Sequence, residues 1–220
     1  MELPTYAGED VAYAVKEIFL TLQGEGAHVG RAAVFCRFAG CNLWSGREAD
    51  RGSAQCRFCD TDFVGTDGTR GASYADADDL ANAIATEWGP RTDERFVVLT
   101  GGEPLLQVDA ALLDALHARG FMVAVETNGT IAPPAGLDWV CVSPKAGTEL
   151  RVHSGHELKL VFPQPGAPPE RFADLTFERF SLQPMDGPEL ADNCARAVAY
   201  CLAHPQWRLS QQTHKSIGIR

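Results

Sequence analysis

The sequence predicts an α/β fold built on a parallel sheet, and three observations carry that expectation. Six short runs rich in β-branched and aromatic residues are nearly continuous in apolar character, as strands covered on both faces are. Helical patterns fall between several of them, the order that gives βα units. The run ends gather polar and glycine residues: GGEP after the second, ETNG at the third, SPK after the fourth and QPMD at the sixth. Parallel strands point one way, so those ends converge on one face, where α/β sheets and barrels carry their sites.

Taken in order, AVKEIFLTL, within residues 1–31, reads as an additional strand ahead of the first run, AAVFCRF (32–38). A helical pattern over 76–88 precedes RFVVLT (95–100), and a second over 108–120 ends at Gly120, which suits the left-handed position just past a helix. FMVAVET (121–127), DWVCVS (138–143), ELKLVF (157–162) and ERFSLQ (178–183) follow. Helices are less obvious after the third, fourth and fifth runs, so shorter connections are expected there. A last helix over 189–205 stops before Pro205, and the tail WRLSQQTHKSIGIR is too polar to assign. No repeat, low-complexity tract or linker divides the chain, which points to one domain over 1–220.

Composition narrows the function classes. The 220 residues, 45% hydrophobic and 22% charged, suffice for a sizeable core. With 19 basic against 29 acidic side chains the net charge is −10, and no Lys/Arg run could follow a phosphate backbone, which argues against direct nucleic-acid binding. MELPTYAGED has neither a basic n-region nor an apolar h-region, and no stretch approaches the ~18 apolar residues of a membrane span. The expectation is a soluble cytoplasmic protein with no membrane partner. Seven cysteines, an odd number, argue for reduced thiols with a chemical use over a disulfide framework.

Three of them stand in one loop, CNLWSGREADRGSAQCRFCDT (41–61), as Cys41, Cys56 and Cys59. The two-residue gap lets a pair of thiolates reach one metal centre from a tight turn, while Cys41 arrives from the far end of a fourteen-residue loop. Zinc would need a fourth ligand, for which nearby His28 is available. Three unligated cysteines are the plain alternative. An iron–sulfur cubane on three thiolates is the sharper one, because it leaves one iron open for a ligand that also reacts. Cys36 and Cys141 lie inside strands, and Cys194 and Cys201 share a face of the last helix, so all four read as packing residues.

The three-cysteine loop after the first strand, followed by GGEP at the end of the next, resembles a radical S-adenosylmethionine (SAM) enzyme. The expanded first spacing departs from that superfamily's usual three-residue gap. Together with LQGEG (22–26), CDT (59–61), ETNG (126–129), SPK (143–145), QPMD (183–186) and THK (213–215), it is similar over essentially the whole chain to the 7-carboxy-7-deazaguanine synthases. The resemblance implies an incomplete (β/α)6-type barrel, a partial TIM barrel, since 220 residues fall short of the ~250 of a full one.

It also implies a 4Fe-4S cluster on Cys41, Cys56 and Cys59, whose open iron binds SAM, and Mg²⁺ on Thr61. SAM contacts map onto Phe58, Cys59, Asp60, Gly101, Gly102, Ser143, Pro144, Lys145, Gln183, Pro184, Met185 and Asp186. Independently of family, Gly101 and Gly102 let backbone groups come close to a ligand, and Glu103 suits structural support of that loop. The implied substrate is 6-carboxy-5,6,7,8-tetrahydropterin, which loses ammonia as a SAM-derived radical contracts its ring. Its contacts map onto Leu22, Gln23, Gly24, Arg37, Thr100, Glu126, Asn128 and His214. Arg37 suits the substrate carboxylate as a bidentate partner, and Glu126 or Asn128 the pterin edge. An external electron donor such as flavodoxin and a homodimer are implied as well. The competing readings are a radical SAM activating enzyme acting on a protein partner and a non-catalytic zinc-binding module.

Overall fold

The structure, a computed structural model, describes residues 13–220. Nine strands lie in it: β1 (Tyr13–Leu22), β2 (Ala32–Phe38), β3 (Ala72–Tyr74), β4 (Phe96–Gly101), β5 (Met122–Thr127), β6 (Trp139–Val142), β7 (Ser154–Phe162), β8 (Thr176–Pro184) and β9 (Trp207–Leu209). The helices are α1 (Ala77–Trp88), α2 (Ala110–Ala118), α3 (Leu190–Ala203) and α4 (Thr213–Ile217). The strands form one open sheet in the order β3-β1-β2-β4-β5-β6-β7-β8-β9. From β2 to β9 every pairing is parallel and follows chain order, the arrangement of a barrel that has not closed; β1 is antiparallel to both β2 and β3.

The six expected runs are β2, β4, β5, β6, β7 and β8, and the additional strand is β1. The three-residue β3 and β9 and the short α4 were not foreseen. Elements so brief show no period, and of the tail only Trp207 and Ser210 are buried. The connections expected to be short hold no α-helix, only the single turn Pro169–Phe172 before β8. Helix ends follow side-chain chemistry. The carboxylates of Asp76 and Asp109 accept from the amides of Asp79 and Leu112 at 2.8 and 2.9 Å, capping α1 and α2. Gly120, at φ +76°, ends α2 with the paired bonds Gly120 N–H to His117 O and Phe121 N–H to Leu116 O.

Alternation along the strands decides what faces the site. One set of side chains (Val34, Cys36 and Phe38; Val97 and Leu99; Val123 and Val125; Val140 and Val142; Leu158 and Leu160; Phe180 and Leu182) joins the main core with Leu80, Ile84, Leu112 and Leu116 of α1 and α2. Shortening one of those leucines to alanine costs about 2–5 kcal/mol. The other set is mostly apolar near the strand starts, where Ala33, Phe96, Val98 and Ala124 pack with Phe35, Met122 and Trp139. Further along, the same face carries Arg37, Thr100, Glu126, Ser143, Lys159 and Gln183, and there a cleft of about 490 Å³ opens. Among the described residues no helix is long and apolar enough to cross a membrane.

Candidate active site

One wall of the cleft is the cysteine loop. Cys41, Cys56 and Cys59 all line it, as do the buried side chains of Leu43, Trp44 and Phe63. The fourteen-residue gap folds on itself. Arg51 lies 4.1 Å over the Trp44 ring and donates to the carbonyls of Arg57 and Cys59 at 2.9 and 3.1 Å, holding the second thiol pair against the first segment. Beyond the loop, buried Lys16 donates to Val64 O (2.9 Å) and pairs with Asp67 (2.7 Å) and Asp62 (3.0 Å), which ties the segment after Thr61 to β1. A hydrogen bond from Cys56 draws the Cys59 thiol down to about 6, against the effect of its burial, and Cys56 is pushed up in turn. Burial raises Cys41, whose Sγ accepts from the Leu43 amide at 3.4 Å. The other four cysteines do not line this cleft.

The loop after β4 is wedged against Cys41. A Cβ at Gly102 would fall onto the Gly40 carbonyl and within 2.7 Å of Cys41 Cβ, and one at Gly101, where φ is +136°, would meet Phe38 N at 2.6 Å. Both glycines are thus required by the chain's own close packing. Glu103 is wholly buried; its carboxylate accepts from Leu105 N–H (3.0 Å), Thr127 Oγ1 (2.8 Å) and Asn128 N–H (2.8 Å), locking this loop to the end of β5. Burial raises its carboxyl despite those three donors. Asn128 lines the cleft, yet its Nδ2 donates to Asn42 (2.9 Å) and its Oδ1 accepts from Thr130, so both ends of the amide are engaged beside Cys41. Lys145 donates to Ser143 O and Oγ at 2.7 Å and lies 5.8 Å from the Phe58 ring; burial lowers its ammonium.

The opposite end of the cleft is more highly charged. The turn after β1 is clamped by Glu157 of β7, which accepts from Ala27 N–H (3.0 Å) and Ser181 Oγ (2.6 Å). Gln23 so held donates to Glu126 Oε1 at 2.9 Å. Lys159 of β7, its side chain only 5% exposed, stands between Glu25 (2.5 Å) and Glu126 (3.3 Å). Burial alone would raise the Glu25 carboxyl, but the Lys159 ammonium outweighs it and holds the group at about 2. Arg37 Nε donates to Glu17 at 2.9 Å, and Arg220 reaches the same carboxylate. α4 straps across the cleft. Thr213 donates twice to Gly24 O, the His214 ring fills the space a Gly24 Cβ would need, and Gln212 donates to Glu25 at 2.9 Å. Lys215 pairs with Asp60 (2.5 Å) and Asp186 (2.6 Å) on the two banks.

Comparison with known proteins settles the kinship. The chain is 74% identical over 210 residues to the 7-carboxy-7-deazaguanine synthase of Bradyrhizobium diazoefficiens, spanning 96% of this chain and all of that one. It is 59% identical over 209 residues to the synthase of the same name from Burkholderia multivorans, again over that protein's full length. The chain belongs to the 7-carboxy-7-deazaguanine synthase family. The crystal structure of QueE from Escherichia coli superposes with a TM-score of 0.68 at 29% identity, over 92% of this chain and 95% of that one. No family model matches.

Against the family's expected site, nearly every position lies in one place. The three thiols, Phe58, Asp60, Thr61, Gly101, Gly102, Ser143, Lys145, Gln183 to Asp186, Leu22 to Gly24, Arg37, Thr100, Glu126, Asn128 and His214 all line the cleft, whereas Pro144 lines a neighbouring hollow that shares Lys145. His28, the available fourth zinc ligand, packs instead against Phe96 (5.0 Å) and Trp139 (4.4 Å) and does not line the cleft. Among the described residues no three Cys, His, Asp or Glu side chains gather as tightly as a single ion demands. A multi-iron cluster, being larger, spaces its thiolates wider, and three thiols on one wall suit it. The Thr61 hydroxyl offers a hard oxygen of the kind Mg²⁺ accepts alongside water and substrate ligands. Lys159, Glu25, Glu17, Gln212 and Lys215 were missed from sequence. For Lys159 a signal was present: ELKL alternates charged and apolar residues, and Lys159 lies on the face that lines the cleft.

Proposed function

We propose that this cleft converts 6-carboxy-5,6,7,8-tetrahydropterin to 7-carboxy-7-deazaguanine with loss of ammonia, a radical SAM, Mg²⁺-dependent ring contraction serving deazapurine and queuosine biosynthesis. The observation that carries the reading is the meeting, in one cleft, of three cysteine thiols with Arg37, Glu126 and Lys159. The relatives' shared name supports the reaction assigned to it. Bound at Cys41, Cys56 and Cys59, a 4Fe-4S cluster with SAM would supply the 5′-deoxyadenosyl radical that begins the rearrangement.

The chain's own residues bind, orient and exclude water. Phe58, Asp60, the backbone at Gly101 and Gly102, Ser143 to Lys145 and Gln183 to Asp186 form the strip for SAM. Thr61 would hold Mg²⁺, which would supply a template and a Lewis acid for the substrate's oxygens. Arg37, steadied through Nε by Glu17, turns its remaining nitrogens to the substrate carboxylate. Glu126 accepts from the donor edge of the pterin, while Leu22 to Gly24, Thr100 and His214 border it. Asn128 contributes by holding Asn42, next to Cys41. The whole chain acts as one radical SAM domain, as a cytoplasmic homodimer drawing electrons from a donor such as flavodoxin.

The test is anaerobic. With the cluster reconstituted and SAM, reductant, Mg²⁺ and 6-carboxytetrahydropterin added, the 7-deazaguanine acid is expected by mass spectrometry. SAM cleavage without that product would overturn the substrate assignment, and an iron-free protein under reconstitution would overturn the cluster.

A further inference from the structure

Lys159 is the least exposed ionisable side chain on the cleft wall opposite the cysteines, and the sequence motifs assign it nothing. Its ammonium touches two carboxylates unequally, Glu25 at 2.5 Å and Glu126 at 3.3 Å. The side chains differ in the same sense, Glu25 being 15% exposed and Glu126 24%. Glu25 is fully engaged, with Lys159 on Oε2 and Gln212 on Oε1. Glu126 is held on Oε1 by Gln23 and only loosely on Oε2. Glu25 is therefore the anchor of the lysine, and Glu126 is the carboxylate with capacity left to accept.

We propose that Lys159 is a positioning residue of the pterin subsite: anchored on Glu25, it aims Glu126 at the pterin's ring N–H and exocyclic amine, and its ammonium offsets the charge of the two carboxylates. This inference rests on the function proposed above. Two carboxylates and one ammonium leave the cluster one negative charge, matched to a donor edge. Without the ammonium, two partly buried carboxylates would be left side by side uncompensated, and like charge favours a proton staying on one of them. A protonated Glu126 presents a donor where the pterin also presents donors.

The groups facing Lys159 are Glu25 from the turn after β1, Glu126 of β5, Cys141 of β6, Glu157 on its own strand, Lys145 after β6 and, through Glu25, His214 of α4. The last four are the same in the wild type and in a Lys159 variant, so a difference between their pH profiles isolates the ammonium.

The experiment titrates the fluorescent pterin-6-carboxylate into the reconstituted, SAM-loaded enzyme from pH 6 to 9, with product formation followed in parallel. K159M is expected to bind about 10- to 100-fold more weakly at pH 7 and to recover toward wild type by pH 9, because binding is gained as the retained proton leaves. K159R, which keeps the charge, should follow the wild-type profile. K159M/E25Q and K159M/E126Q carry equal net charge, so they test the assignment even if K159M alone does not fold; the first should bind at least about tenfold tighter. A pH-independent loss in K159M, or equal affinity of the two double variants, overturns the inference. Wild-type enzyme that neither binds pterin-6-carboxylate nor makes product overturns the underlying function instead.

Discussion

Glu103 offers a quantitative test of how the site is built. Its buried carboxylate accepts from one side chain and two backbone amides, at 2.8 to 3.0 Å, and these bonds join the β4 loop to the β5 end. Glu103→Gln preserves shape but turns an amide NH₂ toward at least one of those donors. One bond is lost and a buried donor is stranded, which costs roughly 1–3 kcal/mol. For a protein of this size each kcal/mol lowers the melting temperature by about 2–4 °C, so a fall of about 2–12 °C is expected. Glu103→Ala strands all three donors and should cost roughly 3–9 kcal/mol by the same reckoning. Because Asn128 in turn holds Asn42 beside Cys41, both variants should also incorporate less iron on reconstitution. Calorimetry and iron analysis read the two effects. If Glu103→Gln melts with the wild type and takes up a full complement of iron, Glu103 is not the joint between these loops.

Thr61→Ala should abolish most of the stimulation of product formation by Mg²⁺ while leaving iron content and the cluster spectrum unchanged; unaltered magnesium dependence would remove Thr61 from the metal site. The Lys215 latch between Asp60 and Asp186 predicts a pH window for the strap. Asp186 is held below its ordinary range by Lys215, so its contribution is present above the unfolded value near 4 and is lost as pH falls further. Lys215 is raised by Asp186 and Asp60 against its burial, so its contribution persists at least to the unfolded value near 10.5 and is lost above its folded one. Protection factors for amide exchange in residues 213–217, taken relative to the unstructured rate at each pH, should therefore be high between those limits and fall below pH 4, and Lys215→Met should lower them at pH 7. Equal protection in the variant and wild type would show that the strap does not depend on Lys215.

Much of the site was legible because strand ends in a parallel sheet are a place that chain direction alone defines. Each polar cluster after an apolar run had to arrive at the same face, and the number and spacing of the three cysteines marked their loop as a candidate metal site, the choice of metal resting on the family motifs. Pairings across the cleft were not legible. Glu25 and Lys159 are 134 residues apart, and Asp60 and Lys215 are 155 apart. No local period relates them, so neither ion pair could be read before the sheet was assembled.

The sequence by itself determined the six parallel strands and the one ahead of them, the end of α2 at Gly120, the gathering of the polar strand ends and the cysteine loop on one face, and the family, because these depend on local pattern and on motifs that survive without coordinates. Tertiary structure decided the rest. It showed that Gly101 and Gly102 are demanded by the backbone they lean on, that Glu103 and Asn128 brace the cysteine loop, and that a lysine inside a strand stands between two glutamates. Those outcomes depend on which side chains share a face and on what burial does to charge, and both are fixed only when distant segments pack together.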